Sequence, residues 1–203
     1  MKFFKTPFFL PWFFPRRKWG FSLNESSVFL TFDDGPNPTI TPWVLDELKE
    51  HGIKATFFCV GDNVRKYPEL YQRLLEEGHR VGSHTMYHSN SSKTNYKDYL
   101  KSYQQAEEYI ESDLFRPPYG RLSYFKQKEI LKTKKIIMWT WLAYDFDLSI
   151  SIDLILKKAK RQINSGDIIV LHDNEKVKER VKILLPQIIS VIQEKGLGFR
   201  VIE

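Results

Sequence analysis

Two adjacent carboxylates close an apolar run in 29-FLTFDDGPNP-38, and two histidines sit four residues apart in 82-GSHTMYH-88. Neighbouring side chains on a strand point to opposite faces, so Asp33 and Asp34 cannot share one hydrogen-bonding role. They can hold two different roles, although a strand ending in an Asp-Gly turn is the plainer reading of the segment alone. His84 and His88 can reach one metal if their segment forms a helical turn. Two histidines, one carboxylate and an open water position make a catalytic zinc set. Two exposed loop histidines are the alternative.

Three more polar clusters follow apolar runs. Arg116 in 116-RPPYG-120 cannot lose its proton, so burial at a strand end demands an acidic partner, either Asp33 or Asp34. The two prolines stiffen that loop and can present a backbone N–H, such as that of Tyr119, at a fixed angle; a rigid turn with a surface arginine reads as well. In 139-WTWLAYDFD-147, Asp145 lies among Trp141, Tyr144 and Phe146, either as a buried acid that orients a histidine or as an exposed loop acid. Asp147 reads as solvated. In 170-VLHD-173, His172 ends a very apolar run, where a satisfied core histidine is the ordinary occupant, and Asp173 reads as a cap for the next helix.

Together these residues describe a hydrolytic site, with Asp34, His84 and His88 as metal ligands, Asp33 as general base and His172 as general acid. A metal in such a set acidifies a water and polarises a carbonyl. The base takes the water's proton and the acid protonates the leaving nitrogen or oxygen. The metal and one backbone N–H stabilise the tetrahedral oxyanion. The reaction class is hydrolysis of an amide or ester without a covalent enzyme intermediate.

The elements that must position these groups alternate along the chain. Strand patterns fall at 27–32, 55–60, 79–84, 113–117, 135–141, 167–172 and 198–202. Helical patterns fall between them at 41–52, 64–78, 95–112, 123–133, 151–166 and 176–196, with Pro68 and Pro186 predicting a late start or a kink. Such alternation predicts an α/β fold on a parallel sheet. The 203 residues fall short of an eight-fold barrel, so the expected fold is a distorted, incomplete (β/α) barrel of about seven parallel strands. Its chemistry belongs at the C-terminal strand ends. The expected organisation is a basic aromatic arm over 1–24 and a catalytic domain over 25–203.

A net charge of +6 without a long single-sign block gives no support to nucleic-acid binding, though it allows attraction to anionic surfaces. The single cysteine, Cys59, excludes an intrachain disulfide and reads as a small core residue. The arm, 1-MKFFKTPFFLPWFFPRRKWGF-21, carries five basic residues and no acid. Pro7, Pro11 and Pro15 interrupt its apolar run and the first alanine is Ala55, so it does not read as a cleavable signal peptide; nor is the run long enough for a transmembrane helix. A cytoplasmic protein, or one peripheral to the inner membrane, is the expectation. An arm packed on the domain is the first reading. The second is an interfacial anchor over residues 1–20, with Arg16, Arg17 and Lys18 on phosphates. The oligomeric state is not legible.

The ordered motifs TFDDGP (31–36), HTMYH (84–88), RPPYG (116–120) and LHD (171–173) resemble those of polysaccharide deacetylases of carbohydrate esterase family four, as does 54-KATFFCVG-61. The resemblance covers roughly residues 25–203. It implies a distorted (β/α) barrel, a divalent metal (usually zinc, sometimes cobalt) and removal of N-acetyl groups from N-acetylglucosamine polymers. By the same resemblance Asp33 is the base, Asp34, His84 and His88 are ligands, Arg116 orients the base and the Tyr119 backbone assists the oxyanion. His172 is the acid, and Leu171 lines the acetyl pocket. The family usually carries Asp-Trp in its fourth motif, whereas this chain has Asp145-Phe146. Asp145 keeps the role of holding the histidine, and the wall of the substrate pocket, to which Phe146 and Trp141 are assigned, is altered. An O-acetyl esterase acting on a polysaccharide, or a glycan-binding protein without turnover, are the alternatives.

Overall fold

A computed structural model describes residues 3–203. Among these described residues nine strands form, β1 Arg17–Lys18, β2 Ser27–Asp33, β3 Thr56–Cys59, β4 Arg80–Ser83, β5 Leu114–Phe115, β6 Lys135–Ile137, β7 Trp141–Leu142, β8 Ile168–His172 and β9 Gly198–Phe199. The helices are α1 Leu10–Phe13, α2 Thr41–Glu50, α3 Gly61–Lys66, α4 Pro68–Glu76, α5 Tyr96–Glu107, α6 Tyr124–Ile130, α7 Ile152–Gln162 and α8 Lys178–Glu194. Eight strands follow one path in the order β1-β6-β5-β4-β3-β2-β8-β7, with β9 beside the start of β2. Every strand pair is parallel, and the sheet curls into the expected incomplete barrel.

The centre of the sheet is β2, whose residues after Ser27 are all buried. A strand covered on both faces reads as a continuous apolar run rather than an alternating one, and SVFLTFD does so until its last residue. Its register sets the rim of the site: Asp33 lies opposite Phe58 on β3 and His172 on β8. Helices α2, α7 and α8 pack their apolar stripes on one face through Val44, Leu45, Leu48, Ile155, Ala159, Leu184, Leu185 and Ile188, all fully buried.

One sequence expectation changes. The run 135–141 is two strands, β6 and β7, on opposite sides of the barrel's opening; the chain leaves β5's neighbour and bonds instead to β8, through Thr140 N–H to the Ile168 carbonyl and Ala143 N–H to the Val170 carbonyl. The helical pattern over 64–78 is divided at Tyr67, as Pro68 predicts, because the residue before that proline is pushed out of the helical region. Pro186, by contrast, sits inside an unbroken α8.

Residues 3–18 span that opening. Lys5 lies antiparallel to Trp141, with Thr6 N–H donating to the Thr140 carbonyl and Leu142 N–H to the Phe4 carbonyl. On the other side β1 pairs with β6. Both exposed edges of the sheet are thus covered by the arm, which satisfies backbone groups that would otherwise template foreign strands. Phe4 is buried against Trp141 and Tyr144, Lys5 Nζ donates to Asp167 at 2.6 Å, and buried Arg17 donates to Gln127 and to the Leu122 carbonyl. The start of the arm, Met1 and Lys2, lies outside the described residues.

Candidate active site and candidate metal centre

The polar residues singled out by the sequence stand at strand ends or in the loops that follow them. Asp33 is the last residue of β2 and Asp34 the first beyond it; His84 follows β4, Arg116 follows β5, Asp145 lies beyond β7, and His172 ends β8. Asp34 has φ +84°, a left-handed conformation that turns the chain sharply at the strand end. His88, Thr85, Tyr119 and Tyr144 also have positive φ, so five of the six such non-glycine residues among those described flank this one region. Each costs about 1–3 kcal/mol, and such strain collects where surrounding structure is committed to a function.

Three side chains make a candidate metal centre. One ligand atom each from Asp34, His84 and His88 lies within 4.8 Å of the others. Asp34 Oδ1 is 3.2 Å from His88 Nε2 and 3.7 Å from His84 Nε2. The expected helical turn between the histidines does not form: residues 84–88 are a loop, and positive φ at Thr85 and His88 brings the two imidazoles together instead. His84 Nδ1 lies 2.7 Å from the Arg116 carbonyl, which accepts its hydrogen and leaves Nε2 with a free lone pair. Burial pushes the His84 imidazole down to about 4, so it is neutral at physiological pH, as a ligand must be.

Asp34 is the residue on which the fit to a cation is tested. Asn174 donates to its Oδ2 at 2.7 Å, while Oδ1 is buried without any hydrogen bond. A buried carboxylate oxygen without a donor is costly unless a cation completes it. Burial opposes its charge, but His172, His84 and His88, with the Asn174 bond, outweigh that and hold the carboxyl below the usual carboxylate range. Two imidazoles and one carboxylate, with the orphaned oxygen facing both rings, fit a zinc-like divalent ion.

Asp33 faces a different partner. Arg116 is fully buried, and its Nη1 donates to Asp33 Oδ1 at 2.6 Å and to Thr31 Oγ1 at 2.7 Å; Nη2 donates to the Met138 carbonyl at 3.0 Å. Its guanidinium lies 4.0 Å over the Phe58 ring. Of the two acids open as its partner, Asp33 is the one it takes. Burial pulls the guanidinium pKa down while Asp33 holds it up.

On the other side of the site Asp145 is fully buried. It accepts from His172 Nδ1 at 2.8 Å through one oxygen and from the His172 backbone N–H at 2.7 Å through the other. Burial disfavours the imidazolium, but Asp145, then Asp34 and Asp33, overcome it and push His172 up to about 10. His172 therefore carries a proton through neutrality, with Nδ1 committed and Nε2 available.

Tyr119 is exposed on the RPPYG turn, its ring 4.6 Å from that of His88. Phe146 is half-exposed and meets the His172 ring edge-on at 5.1 Å. Two residues assigned to the pocket wall lie elsewhere. Trp141 is fully buried against Phe4, because β7 directs it into the core, and it offers no open surface. Leu171, in the same core cluster, is also fully buried.

Sequence reasoning missed two supporting residues. Asp173 does not cap a helix: it is fully buried and accepts from the Gly35 N–H at 3.0 Å and from Thr41 Oγ1 at 2.6 Å, so it ties the turn after Asp34 to β8. A Cβ at Gly35 would lie 2.1 Å from that carboxylate, which explains the glycine. Asn174 was visible only as the polar residue after LHD, with nothing in the sequence to point it at Asp34.

The chain matches the family model described as Polysaccharide deacetylase over residues 22–135. It is 34% identical to a peptidoglycan-N-acetylglucosamine deacetylase of Bacillus cereus, covering 89% of this chain and 88% of that one. It is 35% identical to a chitooligosaccharide deacetylase of Bradyrhizobium sp., covering 81% and 78%. A crystal structure of a peptidoglycan N-acetylglucosamine deacetylase superposes with a TM-score of 0.87 at 31% identity, covering 97% of this chain and 95% of that one. The motifs, the incomplete barrel and these likenesses converge: the chain belongs to the polysaccharide deacetylase family.

Proposed function

We propose that this protein removes N-acetyl groups from a glycan containing N-acetylglucosamine, using a divalent cation held by Asp34, His84 and His88. The observation that carries this reading is Asp34 Oδ1, a buried carboxylate oxygen without a hydrogen bond that faces two imidazole nitrogens. The likeness to deacetylases of peptidoglycan and chitooligosaccharide supports the substrate class. Zinc suits the ligand set, and cobalt is the second choice.

When bound, the cation supplies Lewis acidity, acidifying a water and polarising the amide carbonyl. The residues do the rest. Arg116 occupies Asp33 Oδ1, which leaves Oδ2 to take the proton of the attacking water. The Tyr119 backbone N–H, held on a turn with φ +60° by the preceding prolines, donates to the oxyanion as the carbonyl carbon becomes tetrahedral. His172 begins protonated, with Asp145 accepting from its Nδ1–H and holding the ring in place, and its Nε2–H passes to the amide nitrogen as the C–N bond breaks. Acetate and a free amine leave. Phe146 gives one wall beside His172, where it stands for the family's usual tryptophan and leaves a wider opening.

Acetate release from peptidoglycan fragments, chitooligosaccharides and acetylated xylan, each with chelator and then with added zinc or cobalt, tests the proposal. Release from the first two that stops with chelator and returns with metal supports it. Release from xylan alone favours the esterase reading, and no release from any of them leaves a glycan binder.

A further inference from the structure

The arm folds its aromatic residues into two sets. Leu10 and Phe14, one helical turn apart, pack inward on the cluster around Trp19, Phe115 and Ile136. Phe8, Trp12 and Phe13 point outward and are 81%, 79% and 72% exposed, with Phe9 beside them. These four rings brace one another in three perpendicular contacts, Phe8–Phe9, Phe8–Trp12 and Phe9–Phe13. Phe13 shares a groove with Tyr124, and the neighbouring Phe125 is also exposed. A soluble domain seldom leaves so many contiguous rings in water without a use for them.

The charge around the ridge selects its partner. No acid occurs before Glu25. Arg16 lines the groove that Phe13 shares with Tyr124, and Lys128 lines a second groove with Phe125; both are exposed and, among the described residues, neither forms an ion pair, while Glu129 beside Lys128 is taken by Lys132. Aromatic rings with a basic rim match the interface of an anionic bilayer, where rings enter the headgroup layer and cations meet phosphates. A flat sugar is a poorer match, because rings set perpendicular to one another present edges and not one stacking platform. A second copy is poorer still, because face-to-face pairing would bring two basic rims together.

We propose that the ridge of Phe8, Phe9, Trp12 and Phe13, flanked by Arg16 and Lys128, docks the protein on an anionic phospholipid surface. The ridge is fixed to the site side of the barrel. Thr6 Oγ1 donates to the Trp139 carbonyl at 2.7 Å, and the Trp139 ring closes against Gly120, next to Tyr119. Docking would therefore hold the Tyr119 rim at a set distance from the lipid.

Flotation of the full chain with vesicles of phosphatidylglycerol and phosphatidylcholine tests this, with phosphatidylcholine vesicles alone as the comparison. The expected result is flotation that requires phosphatidylglycerol and weakens with salt. The triple variant Phe8→Ser, Trp12→Ser, Phe13→Ser should lose at least about tenfold in vesicle affinity. The double variant Arg16→Glu, Lys128→Glu, which leaves the ridge whole, should lose a similar factor, since each basic residue near the surface contributes about fivefold. Absence of flotation by the parent chain overturns the proposal, as does affinity unchanged in both variants. So does ridge-dependent dimerisation, or ridge-dependent binding to insoluble peptidoglycan, when vesicles bind nothing.

Discussion

The side-chain amide of Asn174 donates to Asp34 Oδ2 at 2.7 Å, and this fixes which oxygen of that carboxylate is left for a cation. The Asn63 side chain holds the same residue by its backbone carbonyl, again at 2.7 Å. Asp34 is thus clamped at both ends in a strained backbone conformation, with Oδ1 aimed at His84 and His88.

Removing the clamp should loosen the ligand without deleting it. Asn174→Ala is expected to weaken zinc binding by about 10–100-fold, the usual cost of losing an outer-shell partner. His84→Ala should weaken it further, by removal of a ligand itself. Competition with a chromophoric chelator measures both, and an Asn174→Ala affinity equal to the parent's would remove Asn174 from the centre.

Asp33 and Arg116 form a buried pair whose members should fail differently. Asp33→Asn keeps a hydrogen-bond acceptor for Arg116 but takes away the base, so metal content should persist while acetate release falls by about 10²–10⁴-fold. Arg116→Met leaves Asp33 buried opposite nothing and should cost about 3–5 kcal/mol of stability, read by urea denaturation. Near-normal turnover by Asp33→Asn would reassign the base.

The residues that do chemistry were legible in the sequence because each is a polar type where an apolar run ends. The demand that a buried Arg116 be matched narrowed its partner to Asp33 or Asp34, and the family resemblance gave Asp145 the histidine; the structure pairs Arg116 with Asp33 and His172 with Asp145. Register is what a sequence conceals. Nothing in KIIMWTW shows that the barrel is open at Met138–Thr140, so Trp141 was assigned to a pocket when β7 buries it. Asp173 was read locally, as a helix cap, and its true partners are Gly35 and Thr41 at the far end of the chain.

The His172–Asp145 pair has a pH signature. In the metal-free protein His172 releases its proton only near 10, against an ordinary value of 6.5. A raised value means that the charged form stabilises the fold: the contribution is complete below about 6.5 and disappears as pH rises through about 10. Asp145→Asn removes the chief cause and should bring the titration back toward the ordinary value, flattening the alkaline loss of stability. The alkaline limb of the acetate-release profile should move to lower pH in parallel. Histidine NMR titration reads the first effect; an unmoved His172 resonance would contradict it.

Asp173 should behave in the opposite sense to a salt-bridged acid. Burial, with added repulsion from Asp34 and Asp33, pushes its carboxyl up to about 8, despite the bonds from Thr41 and Gly35. The unfolded chain gives up this proton near 3.8 and the folded one near 8, so the fold loses stability as pH rises between those values. Asp173→Asn has no proton to lose and keeps an acceptor for the Gly35 N–H. Its melting temperature relative to the parent should rise steadily across that window; a constant difference would mean that Asp173 is ionised in the fold throughout.

The arm supplies the last test, because its two ends should differ in what they hold. Phe4 is buried between Trp141 and Tyr144 on a strip that covers the β7 edge, so Phe4→Ala removes a core side chain and is expected to cost about 3–5 kcal/mol. Phe13 is exposed, and Phe13→Ala should change stability by less than about 0.5 kcal/mol. Urea denaturation of both variants measures the contrast. A large loss at Phe4 makes residues 3–18 part of the barrel, which closes its opening with its own N-terminal segment. A loss near zero means that the strip detaches easily and that residues 25–203 fold as a unit without it, the organisation first read from the sequence.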